Sequence, residues 1–321
     1  MSLPGKSNED SGLAGAIKSR TAHVVHLTHN DLDAVGADAV HRMKYGTDGV
    51  FTIWSSVGKF SLLFALVAAC EGNGDLLSIS DLGYHKDLED VARRARSNGW
   101  VVEWRDHHRW RDEEIRKVEK EVSLLRVDTS SCGTGIVARD LQPDNPVALE
   151  VGRVVCDYDL WKHADPRSAV LGQVLQRKKN RDHVRDCLVQ GVFSDELIEK
   201  EYAEIKSEMD AMMRRSLKHA TITGKKYRIA FAPLYGYPSE TAHFIRDERK
   251  TEIEVIIGRD GKFSLRSVPP ISHLIAREFG GGGHPNAAGG SFSFTVVERF
   301  TWWFFKKSRH FEEFVRIAEE H

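Results

Sequence analysis

The chain predicts an α/β fold in two domains, and three observations carry that expectation. Short β-type runs alternate with helix-length segments from His23 to about Asp159. Several of those runs end in Asp or His. A long amphipathic stretch then separates them from a second, shorter series of strand-like runs. Alternation of this kind argues for a largely parallel sheet with crossover helices on its faces. With 321 residues, two domains of ordinary size can each bury a core.

The strands expected in the first domain are His23–Thr28, Val50–Trp54, Leu76–Ser80, Val101–Trp104 and Leu124–Val127, all rich in Val, Ile, Leu and aromatic residues. Leu197, Ile198, Tyr202, Ile205, Met209, Met213 and Leu217 then recur every three to four residues behind Ser194, which is placed as an N-cap. This spacing predicts one amphipathic connector helix, with the methionines as core filler. From Lys225 onward the strands Tyr227–Ala232, Glu252–Ile257 and Lys262–Arg266 lead to a helix Ile271–Phe279, a glycine-rich turn, a strand near Ser291–Phe294 and a terminal helix. The expected boundaries are a loose tail over residues 1–20, a first domain over 21–190, the connector over 191–220 and a smaller α/β domain over 221–321.

The 46 basic and 47 acidic side chains nearly cancel, so there is no global field to attract long nucleic acid, and long duplexes are not expected partners. A polyanionic substrate of this chain is therefore expected to be small. Cys70, Cys132, Cys156 and Cys187 show no paired spacing, which predicts ordinary buried thiols in a reducing, cytoplasmic setting. The longest apolar run, Leu62 to Cys70, is less than half a bilayer span, and no signal-peptide core precedes it; a membrane association is not expected.

Ligands of open parallel sheets bind beyond the carboxyl ends of the strands, and four acidic or imidazole segments fall at such places. His29-Asn30-Asp31-Leu32-Asp33 follows the first strand and offers three ligands for a hard or borderline divalent cation. Asp81 stands where the third strand stops, placed to bridge two ions. Asp106-His107-His108 follows the fourth, and adjacent imidazoles beside an acid are uncommon as packing residues because each needs its own partners. Cys156-Asp157-Tyr158-Asp159-Leu160-Trp161 delivers two more carboxylates. Carboxylates and imidazoles in this number are the inventory of a two-metal hydrolytic site.

These segments resemble the DHH phosphoesterases, whose name comes from the triplet present here as Asp106, His107 and His108. The similarity comprises His29-Asn30-Asp31-Leu32-Asp33-Ala34-Val35-Gly36, the isolated Asp81, the triplet and Asp157-Tyr158-Asp159, in the family's order. Near the other end, Ser264-Leu265-Arg266-Ser267 and the run Gly280 to Gly290 around His284-Pro285-Asn286 look like the associated DHHA1 domain. The resemblance covers nearly everything except the tail, and makes the first domain the metal-binding catalytic one and the last the substrate-binding one.

The resemblance implies one cation held by His29, Asp31 and Asp81 and a second by Asp33, Asp81, His107 and Asp157, with Asp159 the alternative to Asp157. It implies two Mn2+ ions, with Mg2+ or Co2+ as alternatives. His108 would face the scissile phosphate, and Asp106 would orient the histidines. Arg266 would offer a planar fork to a terminal phosphate, beside Gly282, Gly283 and His284, where a glycine run can turn backbone N–H groups toward an anion. The implied activity is phosphodiester hydrolysis of very short linear oligonucleotides or dinucleotides to mononucleotides by attack of a metal-activated hydroxide, as in nanoRNases and oligoribonucleases, relatives of the RecJ-like exonucleases. A 3'-phosphoadenosine 5'-phosphate phosphatase, a cyclic-dinucleotide phosphodiesterase and a non-catalytic nucleotide sensor are the competing readings.

Other conspicuous features read as structural. Trp302-Trp303-Phe304-Phe305 is taken as core or subunit contact, which leaves a homodimer open. Arg177-Lys178-Lys179 and Arg181 form a basic cluster with no assigned role. His23, His26, His41 and His85 are assigned no function.

Overall fold

The structure, a computed structural model, describes residues 8–321. Residues 1–7 of the expected tail lie outside the described residues. Asn8–Lys18, placed by the sequence in that tail, is instead a helix, α1, whose Ile17 is fully buried. The chain divides into two compact units, one ending at Tyr202 and the other running from Ala203 to His321.

In the first unit the strands β1 (Val24–Thr28), β2 (Val50–Trp54), β3 (Leu76–Ser80), β4 (Val101–Asp106) and β5 (Leu124–Val127) form one sheet in the order β2-β1-β3-β4-β5. Every pairing is parallel, with Val24 opposite Val50 on one side and Leu76 on the other. The helices between them are α2 (Leu32–Tyr45), α3 (Phe60–Ala68), α4 (Leu88–Ser97) and α5 (Asp112–Glu119), followed by α6 (Gly133–Leu141), α7 (Pro146–Asp159), α8 (Pro166–Val174) and α9 (Arg181–Val189). Side chains of a strand alternate between faces, and β1 uses this to join two different environments. Val25 and Leu27 enter an apolar core with α1, α3 and α4, built on Phe60, Phe64, Leu88 and Trp104.

His26 and Thr28 enter the opposite layer, where α2 lies. There His26 Nδ1 is 2.9 Å from Asp38 Oδ1, and its Nε2 is 2.8 Å from the Ser80 hydroxyl. His41 Nε2 is 2.8 Å from the Ser78 hydroxyl, and the two imidazoles stack at 4.0 Å. Arg42 and Thr52 both donate to Asp38. Burial alone would raise the Asp38 carboxyl, but its bond to His26 and the charges of His26 and Arg42 hold it well below the ordinary value. A buried charge is tolerable when so fully partnered. These histidines thus have a structural task that no spacing in the sequence announces.

The helix α10 (Glu196–Lys218) is the expected amphipathic connector, and the division between the units falls inside it. Its cap is Asp195, whose Oδ1 accepts the Ile198 N–H at 2.8 Å, and not Ser194. The second unit holds β6 (Thr221–Thr223), β7 (Ile229–Pro233), β8 (Ile253–Ile257), β9 (Lys262–Ser267), β10 (Gly282–Gly283) and β11 (Ala287–Ser291). They form a sheet in the order β10-β11-β9-β8-β7-β6, antiparallel except for β7 against β8. Its helices are α11 (Pro238–Arg249), α12 (Ser272–Glu278), α13 (Val296–Phe305) and α14 (His310–Glu320). The strand expected near Ser291–Phe294 lies four residues earlier, and the expected terminal helix is two helices.

Phe231, Phe263, Phe292, Phe311 and Phe314 pack the core of this unit. Of the Trp302-Trp303-Phe304-Phe305 run, Trp302 joins that core while Phe304 and Phe305 are exposed. The basic cluster is largely paired: Arg177 and Lys179 both bond Glu201, and Arg181 covers the Trp54 ring.

At Gly36 the approach of α2 to α6 leaves no room for a side chain: an added Cβ would lie 2.6 Å from Thr134 Oγ1 and 2.8 Å from Val155 Cγ2. Gly36→Ala is therefore expected to destabilise by about 1–2 kcal/mol, overpacking outweighing the better helix propensity of Ala. Denaturant unfolding measures it, and a variant as stable as the parent would show that the two helices separate freely.

Candidate metal centre

The site lies where chain order and sheet order part. β1 and β3 are neighbours, although β2 separates them in sequence, and a crevice opens at such a switch beyond the strand ends. Beyond β1, Asp31 does two things at once. Its Oδ1 caps α2 by accepting the Ala34 N–H at 3.1 Å, while Oδ2 faces His29 Nδ1 at 2.7 Å.

Asp33, in the first turn of α2, is buried. The N–H groups of Gly133 and Thr134 at the start of α6 donate to its two oxygens, each at 2.7 Å, so a helix N-terminus holds this carboxylate from behind. Beyond β3 the chain turns sharply at Asp81, whose φ of 53° is one that Asp and Asn adopt more readily than branched residues. Beyond β4, Asp106 is fully buried, with Oδ1 2.8 Å from His108 Nδ1 and Oδ2 accepting the Trp110 indole N–H at 2.6 Å.

His107 joins the strand ends. Its Nε2 lies 3.2 Å from Asp81 Oδ1 and 3.7 Å from Asp33 Oδ2, and its Nδ1 lies 3.6 Å from Asp159 Oδ2. His29 Nδ1 is 3.8 Å from Asp81 Oδ2. Three ligand-type groups result: His29 with Asp31 and Asp81, Asp33 with His107 and Asp159, and Asp81 with His107 and His108. Asp81 and His107 each belong to two of them.

Asp157 stands apart from this cluster. Its oxygens accept the N–H groups of Ala164 and Asp165 and the Ser168 hydroxyl, at 3.0, 3.1 and 2.6 Å, so it braces the turn between α7 and α8. Against the opposing effect of burial, those bonds hold its pKa below the ordinary value. Two residues along a helix turn about 200°, so Asp157 and Asp159 leave α7 on nearly opposite sides, and Asp159 is the one that reaches the cluster.

Charge is concentrated here. Burial first, then Asp31, Asp33, Asp159 and Asp106, raise the Asp81 carboxyl well above its usual value. Burial and then Asp33 and Asp31 push Asp159 up to about 8. Asp33 is raised mainly by burial, whereas Asp31 is lowered because the bond and charge of His29 outweigh its burial. The bond to Asp106 raises His108. Asp81 Oδ2 and Asp159 Oδ2 are buried without a hydrogen-bond partner. Buried lone pairs of this kind, among carboxylates and imidazoles, fit divalent cations such as Mn2+ or Mg2+.

Sequence reasoning missed Gly133 and Thr134, which orient Asp33, and Trp110, which fixes Asp106. The segment Ser131-Cys132-Gly133-Thr134-Gly135 carried a signal, small residues opening a helix directly after a strand. The expected free thiols are also corrected: Cys132 and Cys156 form a disulfide, while Cys70 and Cys187 are free. Their pairing arises from α6 packing beside α7, which a separation of 24 residues does not reveal.

In the second unit, Gly282 and Gly283 pair with Gly289 and Ala288 as a β-hairpin, so the expected anion-holding turn is partly spent on a strand ladder. The exposed His284 closes that hairpin through its N–H to Ala287 O at 2.7 Å. Arg266 pairs in register with Ala287 and bonds the Ser239 hydroxyl at 2.7 Å. Among the described residues no helix is long and apolar enough to cross a membrane.

No family model matches the chain. Oligoribonuclease NrnB of Bacillus subtilis (strain 168) is 25% identical over 298 residues, spanning 86% of this chain and 74% of that protein. Among solved structures, PggH, a pGpG-specific phosphodiesterase from Vibrio cholerae, superposes with a TM-score of 0.56 at 10% identity, over 93% of this chain and 100% of that one. RecJ of Thermus thermophilus in complex with Mn2+ gives 0.53 at 15% identity, over 97% of this chain and 54% of its own. At these identities the two structures speak for the fold.

Exchanging the two acids of α7 separates their tasks. Asp159→Asn is expected to weaken Mn2+ binding, read by calorimetry, with stability nearly unchanged; Asp157→Asn should lower the melting temperature while leaving the cluster able to bind. The reverse pattern would return the ligand role to Asp157. A second expectation concerns pH. Carboxyls raised in the fold bind protons that the unfolded chain has released, so in the metal-free protein Asp159 contributes stability that is lost as pH climbs from about 4 through about 8. Saturating Mn2+ should flatten that decline in melting temperature; equal slopes with and without metal would contradict it.

Proposed function

We propose that the chain is a DHH-family, metal-dependent phosphoesterase that hydrolyses very short linear oligonucleotides, down to dinucleotides, to mononucleotides, a reading supported by the similarity to an oligoribonuclease and by the shared fold. One observation carries the reading: Asp81 stands between two ligand-type groups, and its unpartnered buried oxygen is repeated at Asp159. In this proposal His29, Asp31 and Asp81 hold one cation, and Asp33, Asp81, His107 and Asp159 hold the second, with Mn2+ the preferred metal. Such cations supply Lewis acidity and bring the pKa of a water toward neutrality.

The remaining tasks belong to the chain itself. The start of α6 fixes Asp33, so its free lone pairs keep one direction. Asp106, held by the Trp110 indole, accepts from His108 Nδ1 and leaves the far nitrogen of that ring for a phosphate or departing oxygen. Because Asp106 raises its pKa, His108 keeps a larger protonated fraction near neutrality and is the proton donor of the scheme. Arg266 and His284 recognise a terminal phosphate, the guanidinium by its planar fork.

The preference for short chains rests on two supports. The near-zero net charge gives no long-range attraction for an extended polyanion, and the curated relative is named an oligoribonuclease. Labelled linear and cyclic oligonucleotides of increasing length, together with 3'-phosphoadenosine 5'-phosphate, test it. Turnover is expected to fall steeply beyond a few nucleotides, to cease on chelation and to return with Mn2+. Processive digestion of long strands, or full activity after thorough chelation, would overturn it.

A further inference from the structure

The turn from α9 into α10 brings a second set of ligand-type side chains together, separate from the strand ends. His183 and Cys187 stand four residues apart on α9 and therefore on one face. Asp195 meets them from the α10 cap: its Oδ1 is engaged by the Ile198 N–H, and its Oδ2 lies 2.7 Å from His183 Nε2. The Cys187 sulfur is 3.6 Å from that nitrogen and 3.5 Å from that oxygen. We propose that His183, Cys187 and Asp195 form a binding site for a borderline transition-metal cation of the zinc class, with water completing a tetrahedral shell.

The distances are the argument. Tetrahedral zinc, with bonds of about 2.3 Å to sulfur and about 2.0–2.1 Å to nitrogen and oxygen, sets ligand edges of roughly 3.5 Å from sulfur to either partner and roughly 3.3 Å from nitrogen to oxygen. Both sulfur edges already have that length, and the imidazole and carboxylate need to part by roughly 0.6 Å. In the metal-free protein the His183–Asp195 contact and the thiol's own S–H bond to Asp195 Oδ2 hold the three side chains together, and a bound cation would take the place of both. All three residues are half-buried, so a cation can enter and a water can stay.

The donor chemistry also differs from that of the strand-end centre. A thiolate favours zinc, cobalt or cadmium over magnesium, calcium or manganese, so the two places select different ions. Binding sends the thiol proton to solvent and needs no oxidant. Bound there, the ion would tie α9 to the first turn of α10 across residues 190–195.

Cobalt(II) distinguishes this site from the strand-end centre, whose ligands are carboxylates and imidazoles, because cobalt bound to a thiolate gives a near-ultraviolet charge-transfer band. The titration is run on the full chain without reductant, which keeps the Cys132–Cys156 bond intact. A band that saturates at one equivalent, survives in Asp81→Asn, disappears on adding zinc and is absent in Cys187→Ser is the expected result. In His183→Ala, which keeps the thiol, the band should be lost or need far more cobalt, a larger shift than the ~10–100-fold typical of outer-shell losses. Circular dichroism confirms that each variant is folded. No band in the parent protein, or a band unchanged in Cys187→Ser, overturns the proposal, and neither outcome bears on phosphoester hydrolysis.

Discussion

Four carboxylates, Asp31, Asp33, Asp81 and Asp159, are drawn together with His29 and His107 at the carboxyl edge of one parallel sheet, and the local architecture is organised by the need to neutralise them. Two unit charges about 4 Å apart repel by ~4 kcal/mol at an effective dielectric of 20, so the four cannot all stay ionised without compensation. Protons supply it in part: burial and the neighbouring carboxylates raise Asp81 well above its usual value and push Asp159 up to about 8. Backbone dipoles supply another part, through the α6 N–H groups on Asp33. Divalent cations are a further means that would suit the unpartnered buried oxygens of Asp81 and Asp159.

Holding such a site demands stiffness beneath it. The helix α2 carries Asp33 at one end and, two turns further on, His41 and Arg42 beside Asp38. Its underside is fastened to β1 and β3 by imidazole-to-hydroxyl and imidazole-to-carboxylate bonds in place of aliphatic packing alone. Directional bonds specify one register where greasy contacts tolerate several, and each of these is satisfied within the layer. The apolar face of β1 supplies burial, and its polar face supplies orientation.

Much of this was legible from residue order. Strand ends followed by Asp or His placed His29, Asp31, Asp81 and His107 in one crevice, because parallel topology puts consecutive carboxyl ends on the same edge. What escaped notice depended on tertiary contact. Asp157 and Asp159 look equivalent in sequence, and the roll of α7 against its neighbours decides which one reaches inward. Gly133 and Thr134 act through backbone N–H groups, which leave little trace in side-chain chemistry. The glycine run suggested an open anion turn, yet its small residues equally suit a narrow hairpin, and the ladder to β11 used them that way. His26 and His41 looked idle because their partners lie up to 54 residues away.

The sulfur–sulfur bond between Cys132 and Cys156 stands immediately beside both supports of the cluster, since Cys132 precedes the Gly133 and Thr134 N–H groups and Cys156 lies one turn before Asp159. Thiol chemistry and cation loading thus converge on the same few peptide units. A preparation kept in dithiothreitol and one left in air are, for this protein, two different samples, and their metal contents should be compared before any difference in their rates is interpreted.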